Sequence, residues 1–141
     1  MAEPSSGSKD FSELFGRLRE LMAPVGARLV VARDVPGDYY VETGWVRDDG
    51  YRGFFGAVQT RRRYVSYHLM PVYAWPDLLD EVSPDLRRRM QGKSCFSFTS
   101  ADEALLGELG ELTERGFERM RNSGAEVHPR HRWSPPDEQR I

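Results

Sequence analysis

The chain has 141 residues, 39% hydrophobic and 30% charged, with 20 basic against 22 acidic side chains and a net charge of −2. That length suits one domain whose core needs no disulfide or metal staple, and the balanced charge excludes a global pull toward nucleic acid or anionic membrane. The lone cysteine, Cys95, excludes an internal disulfide, and no stretch approaches the roughly 18 apolar residues of a membrane span.

Met1 to Lys9 is rich in Ser, Gly and Pro and has no apolar run, so it reads as a disordered leader and not as a signal peptide. With a reduced cysteine, this gives a cytoplasmic location as the expectation. Ser8 or Asp10 can cap a first helix. In it Phe11, Leu14, Phe15, Leu18, Leu21 and Met22 share an arc of roughly 120°, and Pro24 and Gly26 are expected to close it. Arg28 to Arg33 is β-branched and reads as a strand, followed by a turn over Val35 to Asp38 and a second strand from Tyr39 to Gly44. Asp48-Asp49-Gly50 signals another turn. Arg52 to Thr60 and Tyr64 to Met70 form strands three and four, joined through Arg61-Arg62-Arg63 as a hairpin.

Pro71 to Pro76 is expected to be irregular, followed by short helices from Pro76 to Glu81 and from Ser83 to Met90. Each has proline at its first helical position, and Ser83 caps the second. Ser94 to Phe98 is a fifth strand. It places Cys95 and Ser97 on one side, Phe96 and Phe98 on the other. A long helix then runs from about Ser100 to Arg121, with Ser100 and Glu103 expected as a capping box. Its apolar arc of about 140° holds Leu105, Leu106, Leu109, Leu112, Thr113, Gly116, Phe117 and Met120. Gly124 is expected to stop it, and residues 124–141 read as a flexible tail. The order predicts one α+β domain over residues 10–123. It is a mostly antiparallel sheet of about five strands with the N-terminal and the long C-terminal helix on one face.

Three stretches, Phe54-Phe-Gly-Ala-Val58, Val65-Ser-Tyr-His-Leu-Met-Pro-Val-Tyr73 and Gly92-Lys-Ser-Cys-Phe-Ser-Phe98, with the closing amphipathic helix, resemble the YdhG-like family of small bacterial proteins. The likeness covers about half the chain, and Asp38 to Tyr51 departs from the family pattern. The resemblance implies an α+β fold with an antiparallel sheet. Because some members are labelled frataxin-like intracellular iron chaperones, it also implies iron as the one candidate cargo. The residues themselves assign no cofactor or metal.

The candidate ligand-binding residues are Tyr67, His68, Tyr73, Lys93 and Cys95, with Tyr64 beside them. If the strands starting at Tyr64 and Ser94 are neighbours, aromatic walls and the Lys93 cation can line a shallow cleft for an anionic group. Strand parity puts Ser66 and His68 on one face and Val65, Tyr67 and Leu69 on the other. The plainer reading makes Tyr67 core, His68 surface and Cys95 a small buried hydrophobe. His68 and Cys95 are too few to hold a metal, and His128 and His131 lie in the tail. The Glu103, Glu111, Glu114 and Glu118 stripe offers hard oxygen donors suited to iron, yet Glu111–Arg115 and Glu118–Arg121 also fit ordinary helix ion pairs. Arg61–Arg63 and Arg87–Arg89, with Arg52, could grip phosphate or RNA.

Gly92-Lys93-Ser94 lacks the upstream glycine of a phosphate loop, since Arg87 holds that place. Thiol catalysis at Cys95 with His68 as base lacks an orienting third group, so no catalytic residue is assigned. The expected function is a non-enzymatic domain that binds a small ligand or protein partner near residues 64–73 and 93–98, as a monomer or homodimer. The alternatives are a frataxin-like iron chaperone and an arginine-mediated nucleic-acid or phosphate binder.

Overall fold

The computed structural model describes residues 10–46, 50 and 52–123. The expected leader, the tail with Gly124, His128 and His131, and Asp48-Asp49 lie outside them. Helix α1 (Ser12–Gly26) precedes strands β1 (Val30–Val35), β2 (Asp38–Val46), β3 (Arg52–Thr60) and β4 (Val65–Leu69). Helix α2 (Met70–Ala74), a 3-10 segment (Pro76–Glu81), helix α3 (Pro84–Arg87), strand β5 (Cys95–Phe98) and helix α4 (Glu103–Asn122) complete the order. The five strands form one sheet in sequence order, every neighbouring pair antiparallel. This is the α+β architecture that the element order predicts, with α1 and α4 packed together on one face. Among the described residues no helix is long and apolar enough to cross a membrane.

Asp10 accepts a hydrogen bond from the Ser12 amide at 2.9 Å, supplying an acceptor to one of the orphan donors at the start of α1. The helix ends at Gly26, as expected, with Pro24 inside its last turn. The proline ring is exposed there, and the hydrogen bond it forfeits, to the exposed Glu20, falls where water replaces it. Residues 27–29 then wind down the helix, donating to Ala23, Val25 and Gly26 carbonyls. That delays β1 by two residues relative to the predicted Arg28–Arg33. The β1–β2 turn is centred on Pro36-Gly37, where Gly37 has φ +81°, as a type II turn requires at its third position.

Pro71 to Pro76 is not irregular throughout, because Met70–Ala74 forms a helix. Pro71 near its start removes a donor that would have had no partner, and the Trp75 amide closes the turn onto Pro71 O at 2.7 Å. The helix expected through Met90 stops at Arg87. Residues 89–91 instead run beside β5: Ser97 N donates to Arg89 O, and Gln91 N donates to Cys95 O, both at 2.8 Å. Ser83 caps α3 as expected, accepting from Leu86 N, and is itself gripped by Glu108 of α4, whose carboxylate accepts from Ser83 Oγ at 2.7 Å.

All eight residues of the predicted α4 arc are buried. The cap differs from the expected box. Asp102, not Ser100, accepts from Leu105 N at 3.2 Å, and Glu103 is drawn away to Arg17 of α1 at 2.7 Å. Loss of a side-chain cap costs about 1 kcal/mol. Asp102→Ala is therefore expected to lower the unfolding free energy in urea by about that much, while Ser100→Ala leaves it unchanged.

The core lies between the helices and the sheet face carrying Tyr39, Val41, Phe55, Val58, Val65, Tyr67, Leu69, Phe96 and Phe98. Strand β3 would break this alternation but for a bulge. Val41 pairs with Gly56 and Glu42 with Phe54, leaving Phe55 as the extra residue. Phe55 thereby joins Gly56 on the helix face, where it meets Phe117 edge-on at 6.4 Å, and Phe54 turns to the opposite face.

Candidate functional site

The sheet face turned away from α1 and α4 is built by register. One row crosses four strands as Tyr40, Ala57, His68 and Cys95, each the direct partner of the next. A second row runs as Asp38, Gln59, Ser66 and Ser97. Phe54, released by the bulge, lies 4.9 Å from the Tyr40 ring and 6.3 Å from the His68 ring. Tyr73 packs against the same group, with Met70 and Ala57. The result is a second, smaller apolar cluster in which Phe54, Ala57 and Met70 are buried, with half-buried Tyr40 and Tyr73 packed against it and half-buried His68, Cys95 and Ser97 beside it.

The second row is polar and mostly satisfied. Asp38 accepts from Arg33 Nε at 2.7 Å and from Gln59 Nε2 at 3.0 Å. Burial pushes its carboxyl upward, but the bonds from Gln59 and Arg33 outweigh that and hold it below the usual carboxylate value. The Gln59 side chain accepts from Arg61 at 2.8 Å, and Ser66 Oγ donates to Gln59 O at 3.2 Å. Ser97 Oγ is buried and has no partner among the described residues. Arg33, at the sheet edge, stacks its guanidinium 4.4 Å above the Tyr40 ring.

The five sequence-derived candidates divide between two environments. His68 and Cys95 are register partners on the helix-free face, and Tyr73 joins the cluster beside them. Lys93 is exposed in the turn that leads into β5, next to Ser94, whose carbonyl accepts from Leu69 N at 2.8 Å. Tyr67 is on the other side of the sheet, fully buried, with its hydroxyl 2.6 Å from Thr113 Oγ1. Thr113 in turn donates to Leu109 O at 2.8 Å, so the phenol supplies the proton of the Tyr67–Thr113 bond. Burial raises the Tyr67 phenol well above its ordinary value. Tyr67 fastens α4 to the sheet and takes no part in a surface cleft.

Burial also pushes the Cys95 thiol up, opposed by the Tyr67 backbone and by Arg61. That direction disfavours the thiolate, the form of cysteine that attacks electrophiles.

Several members of the other candidate sets are tied into the protein. Glu103 pairs with Arg17, Glu114 with Arg28 and Glu118 with Arg121. Arg115 does not meet Glu111; it donates to Leu78 O at 3.3 Å. Among the described residues no three His, Cys, Asp or Glu side chains converge as a metal site would need. Of the arginines, Arg61 holds Gln59, Arg87 donates to Leu79 O, Arg88 pairs with Asp85, and Arg89 lies over the Phe98 ring.

Sequence reasoning missed Tyr40, Phe54 and Ala57. Their membership rests on pairing between distant strands and on the bulge, which no local pattern reports. The one available signal was the doublet Phe54-Phe55 before a glycine, a place where alternation must slip. No protein-family model, curated protein or solved structure matches the chain.

Proposed function

We propose that this domain is a non-enzymatic binding module that takes a small planar ligand on the helix-free sheet face, beside β4 and β5. The observation that supports it most is the row Tyr40–Ala57–His68–Cys95 with Phe54 and Tyr73 at its rim. The half-buried rings of Tyr40, His68 and Tyr73, backed by buried Phe54 and Ala57, offer a flat apolar ligand stacking contact. The half-buried imidazole of His68 supplies a polar contact that fixes orientation. Lys93, exposed at the same end of β5, offers a cation to a carboxylate or phosphate on the ligand.

The YdhG-like resemblance supports the same architecture. Its iron-chaperone alternative would need free oxygen donors, and Glu103, Glu114 and Glu118 each hold an arginine.

A thermal-shift screen of aromatic carboxylates and small anions tests the proposal. A ligand at ~100 times its dissociation constant adds ~2.7 kcal/mol to the folded state, a clear rise in melting temperature. The rise is expected to shrink in Lys93→Ala and to vanish in His68→Ala. A screen without a hit, or a hit that both variants keep in full, contradicts the reading.

A further inference from the structure

The two edges of the sheet are treated differently. On the β5 side, residues 89–91 lie against the strand, with an isolated bridge between Met90 and Phe96. On the other side β1 ends the sheet, and all six of its residues are exposed. Among the described residues the large apolar side chains that stand exposed are Val30, Val31 and Val35, at 42%, 40% and 52%, and all three belong to this one strand. A bare ladder edge flanked by valines is a template for another strand.

Charges on an edge strand ordinarily deter such pairing. Here both charges of β1 are folded back onto their own protomer. Arg33 holds Asp38 at 2.7 Å and covers the Tyr40 ring. Asp34 is held by two nitrogens of Arg19 of α1, at 2.9 and 2.6 Å. Neither has to leave its partner for a second strand to approach.

The strand is also self-complementary. Val31 pairs with Val41 and Arg33 with Tyr40, so Ala32 is an extra residue that resets the alternation. Val30, Arg33 and Val35 consequently share the helix-free face, while Val31 and Asp34 share the helix face. A two-fold axis perpendicular to the sheet, placed between Ala32 and Arg33, sets Val30 against Val35 of a second copy, Val31 against Asp34, and Ala32 against Arg33. Opposed residues fall on the same face in every case, valine meets valine at both ends, and no like charges stand directly opposite. Without the Ala32 bulge the same register would oppose residues of different faces.

We propose that β1 is the interface through which two copies of this chain pair antiparallel, extending the five-stranded sheet to ten strands with the helices of both copies on one side. This is independent of the ligand site, because it uses the sheet edge and not the aromatic row. Six residue pairs along one edge bury less than a standard interface of about 1,600 Å², so the dimer is weak and depends on concentration.

The test is sedimentation of the full chain from about 1 μM to about 1 mM, with the variant Val30→Lys/Val35→Lys, which sets lysine against lysine at both ends, beside it. The expected result is a reversible monomer–dimer equilibrium in the parent chain, with a dissociation constant raised ~10-fold or more in the variant and an unchanged circular dichroism spectrum. If the lysine variant fails to fold, Val30→Thr/Val35→Thr, which keeps β propensity, is expected to weaken the dimer in the same direction. A parent chain that stays monomeric throughout overturns the proposal. So does a dimer that persists at the same strength in the folded variant.

Discussion

Replacing Leu109 with alanine is expected to remove about 2–5 kcal/mol from the unfolding free energy. Leu109 is fully buried in the middle of the α4 arc, with Leu105, Leu106, Leu112 and Leu18 of α1 in the same core. Truncation loses the transfer free energy of the removed carbons and leaves a cavity. The site cannot collapse easily, because α4 is fixed on several sides. The Tyr67 hydroxyl bonds Thr113 one turn along, Glu108 bonds Ser83, and Arg17 and Arg28 of α1 clasp Glu103 and Glu114. The exposed ion pairs each contribute little, so the cost is expected to be insensitive to salt. Equilibrium denaturation in urea measures it. A loss under ~0.5 kcal/mol, the scale of a surface change, would show that this face of α4 is not the core.

Gly56→Ala is expected to destabilise the domain by about 1–3 kcal/mol, the usual cost of overpacking a filled interior, although only one methyl group is added. A Cβ at Gly56 would come within 2.7 Å of the His68 carbonyl oxygen on β4 and 2.7 Å of Met22 Cε on α1. The methionine end can swing aside. The carbonyl belongs to the β3–β4 ladder and cannot move without opening it. Gly56 is also the residue beside which Phe55 is inserted, so a shift there disturbs the bulge that turns Phe54 toward His68. Gly56→Ala is therefore expected to weaken ligand binding as well as stability, whereas Leu109→Ala at a temperature well below its melting point leaves binding intact. Gly107→Ala is the control. Gly107 is exposed in α4 with open space around it, and alanine there is expected to stabilise the helix by up to ~1 kcal/mol.

Much of the fold is legible in the sequence. The α4 arc follows helical spacing over about four turns, and every member is buried, because local periodicity and tertiary burial report the same face. The alternation Cys95-Phe96-Ser97-Phe98 gives β5 and its two sides directly. The misreadings arise where a residue has two partners to choose from. Ser100 and Asp102 both suit a cap, and Arg17, distant in sequence, removes Glu103 from the box.

The site was legible in part, for a geometric reason. The parity of Val65 to Leu69 already separates Tyr67 from His68, but which of the two faces Cys95 was open until the register paired it with His68. Tyr40 and Phe54 could not be added, since β2 and β3 carry irregular pairing at Val41/Glu42 and each slip exchanges the two faces. A single extra residue, Phe55, decides whether the aromatic cluster exists.

The most direct measurement is two-dimensional amide NMR of the full chain titrated with the best ligand of the thermal-shift screen. Shift changes are expected to concentrate on Tyr40, Ala57, His68, Cys95 and Ser97, with Lys93 at the margin and Leu109 and Gly107 of α4 unmoved. Changes centred on α4 or on the Arg61–Arg63 turn, with the Tyr40–Cys95 row silent, would contradict the assignment of the helix-free face as the binding surface.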